Sequence, residues 1–440
     1  MVAPLSKSIT QHMNLLNSPF GLRNPQKVTG ITICDLIESP NTIRTTAMPV
    51  KSLCHNYLKN TLSSFNRARM KTLMLSADAL IDSNRLTLTD IGRHLEGKAF
   101  SKNKIKRIDR FLNNDHLQRE LIDIYRALAK PVISQLPYLV IAVDWSGCCG
   151  SNYHLLRASL LVDGRSMTLY NMVVEEKDKE TRTTHQLFLS RLSHILAGHA
   201  KVYITSDGGF LTPWYAEVLA HGWDFIGRLR GTMKCQLKQQ PTQWQTLAQL
   251  RKDASCTPKN LGSARLTQHS KTGCQASLHL YQGEHRGRRG KSRFTKDDKM
   301  YRNLAHEPWL IATSDAELTS REVINLYAKR MQIEQNFRDD KSEQYGFSWR
   351  FSRTMGIKRM SILCLIACVA SLVLWLIGFE AERRKWHFRF QANTVRKRRV
   401  LSFLSLAKNI VKQCPHQLTK RFIKRSWLNF INDYNKIIIV

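Results

Sequence analysis

Between residues 138 and 221 the apolar runs and turn signals come in an order that few folds can accommodate. Tyr138 to Val143 is an unbroken apolar run that halts at Asp144, as a strand buried on both faces would. Tyr153 to Val162 and Met167 to Val174 flank Asp163-Gly164, a dipeptide suited to the positive φ of a tight hairpin turn. Residues 182–199 carry Phe188, Leu192, Ile195 and Leu196 on one helical face. Val202 to Thr205 then gives a short strand ending at Ser206-Asp207-Gly208-Gly209, and 213–221 reads as helix. Strand, two-stranded hairpin, helix, strand, helix predicts an α/β class, a mixed sheet with helices packed on it.

That is the order of the ribonuclease H-like fold, and what flanks it reads differently. Residues 1–49 are polar and broken by Pro4, Pro19, Pro25 and Pro40, which predicts a poorly ordered extension. Residues 50–130 read as helices. Thr89 is expected to cap a short helix carrying Ile91 and Leu95, and Ser101 another running through Ile105, Ile108 and Leu112. The second bears Lys104, Arg107 and Arg110, so the pair predicts a small helical DNA-binding domain, with a solvated helix face as the competing reading. The core is expected over 131–379, interrupted by a β-rich insertion at about 223–312 with an exposed basic stretch from Arg286 to Arg302. Residues 380–440 read as a basic helical C-terminal region. The run Ile362 to Phe379 is long and apolar enough to span a bilayer. Basic residues on both its flanks mark no inside, and its small and weakly polar members, such as Cys364, Ala367 and Ser371, favour a buried helix over a membrane partner.

A carboxylate at the end of a buried strand is exposed at the sheet edge while its backbone stays fixed. Asp144 and Asp207 both stand at such positions. Neighbouring strands would aim the two at one point, which suits a pair of hard divalent cations. Taken singly, each reads more readily as a turn-former; together, at the ends of successive strand signals in a highly basic chain, they favour function. Composition names the partner: 68 Lys and Arg against 34 Asp and Glu give a formal net charge of +34. Such an excess repels itself and attracts polyanions, nucleic acid above all. The 10 cysteines show no CxxC spacing, which argues against structural zinc and for a reducing compartment. No basic-then-apolar leader is visible, so a cytoplasmic, DNA-associated location is expected.

The third element is the segment YAKRMQIEQNFRDDK, residues 327–341. On a continuous helix Tyr327, Arg330, Glu334 and Lys341 fall within about 60° of one another. Leu326, Ile333 and Phe337 form an adjoining apolar stripe that would seat the helix on the sheet. One face would then present Glu334 to hold metal, Arg330 and Lys341 to grip DNA phosphates and Tyr327 to hydrogen-bond one. Helical geometry alone fits equally a solvated face with Arg330–Glu334 and Glu334–Arg338 pairs.

This segment matches the Tyr-x2-Arg-x3-Glu-x6-Lys signature of bacterial insertion-sequence transposases. More closely, the chain resembles the insertion sequence ten group within the insertion sequence four family. The matching stretches include LTLTDIGRHL (86–95), NKIKRIDRFLNN (103–114), VDWS (143–146), SDGGF with PWY (206–215), KRMQIEQNFRDDKS (329–342) and QANTVRKRRVLS (391–402). The resemblance implies a ribonuclease H-like catalytic core with a β insertion between the second Asp and the Glu. It implies Asp144, Asp207 and Glu334 as a catalytic triad holding two Mg2+ ions, with Mn2+ as a substitute. It also implies cut-and-paste transposition of double-stranded DNA by a homodimer in a synaptic complex. Water nicks one strand at each transposon end, the freed 3′-OH attacks the other strand to form a hairpin, and the opened ends join target DNA. Each step is an in-line displacement at phosphorus. Trp309, in PWLIAT, corresponds to a tryptophan that stacks on a base flipped from the hairpin; core packing is its other reading. The chain departs from the family at Gly147-Cys148-Cys149-Gly150, beyond Cys414, and at Asp340, whose charge is expected to weaken phosphate contact at the Lys341 face. The rival reading from another class is a non-catalytic DNA-binding protein, an inactive remnant without use for carboxylates at strand ends.

Overall fold

The hairpin expected around Asp163-Gly164 forms, with Gly164 at φ +68° where a side chain would be strained, and it builds one edge of a ten-stranded mixed sheet. A computed structural model describes residues 53–148, 152–267, 273–283 and 307–439. The extension 1–49 and the basic stretch 286–302 lie outside the described residues, as do Cys149 and Gly150.

The described chain opens with helices α1 (Leu53–Leu58), α2 (Arg67–Ser83), α3 (Leu88–His94), α4 (Ser101–Leu112) and α5 (Asp115–Ile133). Strands β1 (Leu139–Gly147), β2 (Tyr153–Leu160) and β3 (Met167–Glu175) follow, then α6 (Arg182–Leu196), β4 (Val202–Ser206), α7 (Thr212–Ala220) and β5 (Asp224–Arg228). Next come β6 (Lys234–Leu237), β7 (Trp244–Thr246), a single turn α8 (Leu247–Leu250), β8 (Lys259–Leu266) and β9 (Cys274–Tyr281). The remainder is β10 (Trp309–Thr313), α9 (Ser320–Lys329), α10 (Met331–Lys341), α11 (Ile357–Arg383), α12 (His387–Phe390), α13 (Phe403–Gln413) and α14 (Lys420–Ile439).

The strands lie in the order β3-β2-β1-β4-β5-β10-β9-β8-β6-β7. β4 pairs in parallel with both β1 and β5, while the hairpin and the strands beyond β5 pair antiparallel. The first five strands with their intervening helices fit a ribonuclease H-like α/β core. β5 and β10, the first and last strands of the stretch 223–312, sit within that sheet, and β6 to β9 extend it.

The apolar run at 362–379 lies inside α11, the one described helix long and apolar enough to cross a membrane. Protein covers it instead: β3, α2, α13 and α14 pack around it. Burying each Leu or Ile there contributes about 1.5–3 kcal/mol. Gly378 allows the closest approach, since a Cβ at that position would stand 2.3 Å from the Phe403 carbonyl oxygen of α13.

Local details differ from expectation at four points. Thr87, not Thr89, caps α3: its backbone is extended and its side chain accepts the Asp90 N–H at 3.0 Å, which puts Thr89 already in the first turn. Ser101 is the first residue of α4 rather than its cap; Phe100 stands at the cap without a side-chain bond. β1 runs past Asp144 to Gly147 because β2 continues to pair with it there. The helix expected over 327–341 breaks at Arg330, where the Arg330 N–H turns to the Tyr327 carbonyl and the Ile333 N–H to the Arg330 carbonyl, both at 3.0 Å. These three-residue closures are tighter than an α-helix allows.

Candidate active site

Strand register brings the two aspartates together. Parallel pairing sets Val143 opposite Ser206, so Asp144 and Asp207 are the next residues on neighbouring strands where that pairing ends. Asp207 leaves β4 in a turn and its carboxylate accepts the Gly209 N–H at 3.0 Å. Asp144 stays in β1 opposite Arg157 of β2, which is itself opposite Asn171 of β3. Directly opposite residues share a face of the sheet.

α9 and α10 bring in the remaining groups. A capping box of Thr319 and Glu322 starts α9. α10 packs against β1, with Ile333 and Phe337 buried as the apolar stripe predicts. Its position is fixed by polar clamps on the β2–β3 turn. The Gln332 side chain accepts the Val162 N–H at 3.1 Å and donates to the Val162 carbonyl at 2.6 Å. Asn336 donates to the Ser166 carbonyl at 2.6 Å, and Arg165 pairs with Asp339 at 2.7 Å. Asp340 pairs at 2.7 Å with Arg157, and both side chains are buried. The expectation that Asp340 stands beside Lys341 against phosphate is therefore corrected: its carboxylate turns into the core, while the Lys341 ammonium donates to Ser146 of β1 at 2.7 Å. Sequence reasoning singled out neither Gln332 nor Asn336; their spacing of one turn was a faint signal, and their backbone partners gave none.

At the centre is Arg330, a residue only 6% exposed. One terminal nitrogen donates to the Asp144 carboxylate at 3.1 Å and the other to Glu334 at 2.5 Å. Burial raises the Asp144 pKa to about 7; Arg330 opposes the rise, while the negative charges of Asp207 and Glu334 add to it. Burial alone would lower Arg330, but Tyr327, Asp144, Glu334 and Asp207 together hold its pKa above the ordinary value. The guanidinium lies 5.7 Å from the centre of the Tyr327 ring, and Trp309 meets that ring edge-on at 5.1 Å. The structure thus brings Asp144, Asp207, Glu334, Tyr327 and Arg330 together, with Trp309 and Lys341 at their border. Lys104, Arg107 and Arg110 are elsewhere, on α4, where Arg107 donates to Thr72 of α2 at 2.8 Å.

A cationic group beside Asp207 escaped the sequence reading. Arg228 and Arg230 approach Glu307 at 3.2 and 3.3 Å, and Arg251 pairs with the same carboxylate. Arg230 lies across Gly208, where a Cβ would stand 2.6 Å from its side chain. The alternation in Arg228-Leu229-Arg230 hinted at a shared face; nothing local pointed to Arg251 or Glu307.

Three carboxylates supply oxygen donors of the kind that hard divalent cations select; the upward shift at Asp144 comes first from burial, and an ion would relieve the smaller part that Asp207 and Glu334 add. Among the described residues, however, no group of three or more His, Cys, Asp or Glu side chains is arranged to hold an ion as it stands. The arginine takes up the charge instead. Residues 137–372, more than half of the chain, match the family described as "Transposase DDE domain". No curated protein matches the chain.

Proposed function

The chain belongs to the transposase DDE-domain family, and from that premise we propose that it carries out cut-and-paste transposition with Asp144, Asp207 and Glu334 as its metal-holding catalytic triad. The observation that carries this reading is the convergence of three acidic residues, from β1, from the end of β4 and from α10, upon one guanidinium. Two Mg2+ ions are the proposed cofactors, with Mn2+ as a substitute; when bound, they activate the attacking oxygen and stabilise charge on the leaving one.

The chain's own groups position the DNA. Arg330 and Lys341 grip phosphates, Tyr327 hydrogen-bonds one, and Trp309 stacks on a base flipped from the hairpin end. Lys104, Arg107 and Arg110 contact duplex DNA from the helical region 50–130, which serves as a DNA-binding domain. The enzyme acts as a homodimer on transposon ends in the bacterial cytoplasm, the region 380–440 contributing to the dimer, and it belongs with the insertion sequence ten group. Metal-dependent nicking, hairpin formation and strand transfer on DNA carrying the terminal repeats test this reading. Asp144→Asn and Glu334→Gln should each lower nicking by about a thousandfold or more while leaving DNA binding intact. Nicking that survives both substitutions removes the triad.

A further inference from the structure

We infer that Arg330 is the resident counter-ion of the DNA-free site, and that a DNA phosphate must draw it away before Asp144 and Glu334 can share a divalent cation. This rests on the reading of those two residues as metal ligands. The guanidinium spans the gap between them, one terminal nitrogen on each carboxylate at 3.1 and 2.5 Å. A divalent ion entering that gap meets a fixed positive charge and two carboxylates already paired.

The arginine is built to change partners. It sits at the joint between α9 and α10, outside the regular hydrogen bonding of either helix. Its Nε–H is buried and makes no hydrogen bond, a cost that a phosphate oxygen would remove. A guanidinium takes a phosphate in the same two-pronged manner as carboxylates. Glu334 is 39% exposed and Arg338, one turn further, is exposed too, so the approach lies on the solvent side and is cationic. Phosphate binding to Arg330 and metal binding to the released carboxylates then favour each other, as linked equilibria must. The site stays unloaded until DNA arrives, which guards against stray cleavage.

The test measures Mn2+ binding to the full chain without DNA, by electron paramagnetic resonance of free Mn2+. Arg330→Ala and the shorter, polar but uncharged Arg330→Gln are compared with wild type, circular dichroism establishing that each is folded. Both variants should bind Mn2+ about tenfold or more tightly than wild type, as removal of a competing buried charge requires. Adding a non-specific duplex should tighten Mn2+ binding to wild type more than to either variant. Variants that bind no tighter than wild type overturn the inference, as does wild-type binding that is indifferent to DNA. Asp144→Asn in the Arg330→Gln background should abolish the gain; a gain that persists there overturns the metal-ligand reading itself.

Discussion

Replacing Asp340 by alanine probes how the Glu334 helix is held. Arg157 and Asp340 pair at 2.7 Å with side chains 4% and 6% exposed. The arginine also donates to Asn171 at 2.7 Å and lies over the Phe337 ring at 4.8 Å. Asp340→Ala leaves that guanidinium buried with only a neutral amide and a ring face. Stranding one member of a buried pair costs about 3–5 kcal/mol, and the Asn171 bond and the ring contact place this case toward the lower half of that range. Unfolding followed by urea denaturation should show the loss. Arg157→Met combined with Asp340→Leu, which removes both charges, should recover most of it. Because α10 carries both Glu334 and Asp340, the single variant should also lose nicking activity, whereas its DNA affinity should not rise. A loss below about 1 kcal/mol would show the pair to be an ordinary surface contact, and a gain in DNA affinity would reinstate Asp340 as a brake on phosphate binding.

Asp144 predicts a pH dependence in metal-free protein. Its folded pKa, about 7, lies above the ordinary aspartate value of 3.8, so the fold holds this proton more tightly than the unfolded chain does. Its contribution is therefore most favourable below about pH 4, declines as pH rises, and is lost above about pH 7. Asp144→Asn should gain stability over wild type as pH is raised from about 4 to about 8; a difference that stays flat or shrinks contradicts the assignment. Gly378→Ala should lower stability by about 1–3 kcal/mol, read as a drop in Tm, because α11 and α13 must separate; an unchanged Tm would show the contact to be soft. Glu307→Gln should tighten DNA binding and steepen its logarithmic salt dependence by about one unit if Arg228, Arg230 and Arg251 face phosphate. Fluorescence anisotropy across a salt series measures both, and an unaltered slope would place that cluster away from DNA.

What could be read from the sequence follows the range over which each determinant acts. The Asp163-Gly164 hairpin and the apolar strand before Asp144 depend on neighbours in the chain, and both stand in the structure. The stripe of Tyr327, Arg330, Glu334 and Lys341 presumed an unbroken helix. The chain tightens at Arg330 instead, where the side chain is buried between carboxylates that arrive from distant positions. Gln332 and Asn336 do not stand out in the sequence, and Asp340 is set against phosphate there, because their partners, Val162, Ser166 and Arg157, are selected by the sheet and not by the segment they occupy.

Asp144 and Arg157 face each other across β1 and β2, and Glu334 and Asp340 ride on one helix. Arg157 holds Asp340 while Arg330 holds Glu334 to Asp144, so sheet and helix are joined at two points along the same face. One joint, Arg157 with Asp340, is buried on both sides. The other is borne by a residue at a helix break with its Nε–H unpaired, and there the charge can be exchanged while the backbone that positions the carboxylates stays anchored. If the site takes up both metal and phosphate as proposed, that division suits it: the buried Arg157–Asp340 pair anchors the helix, and the Arg330 pair is the one that can be exchanged.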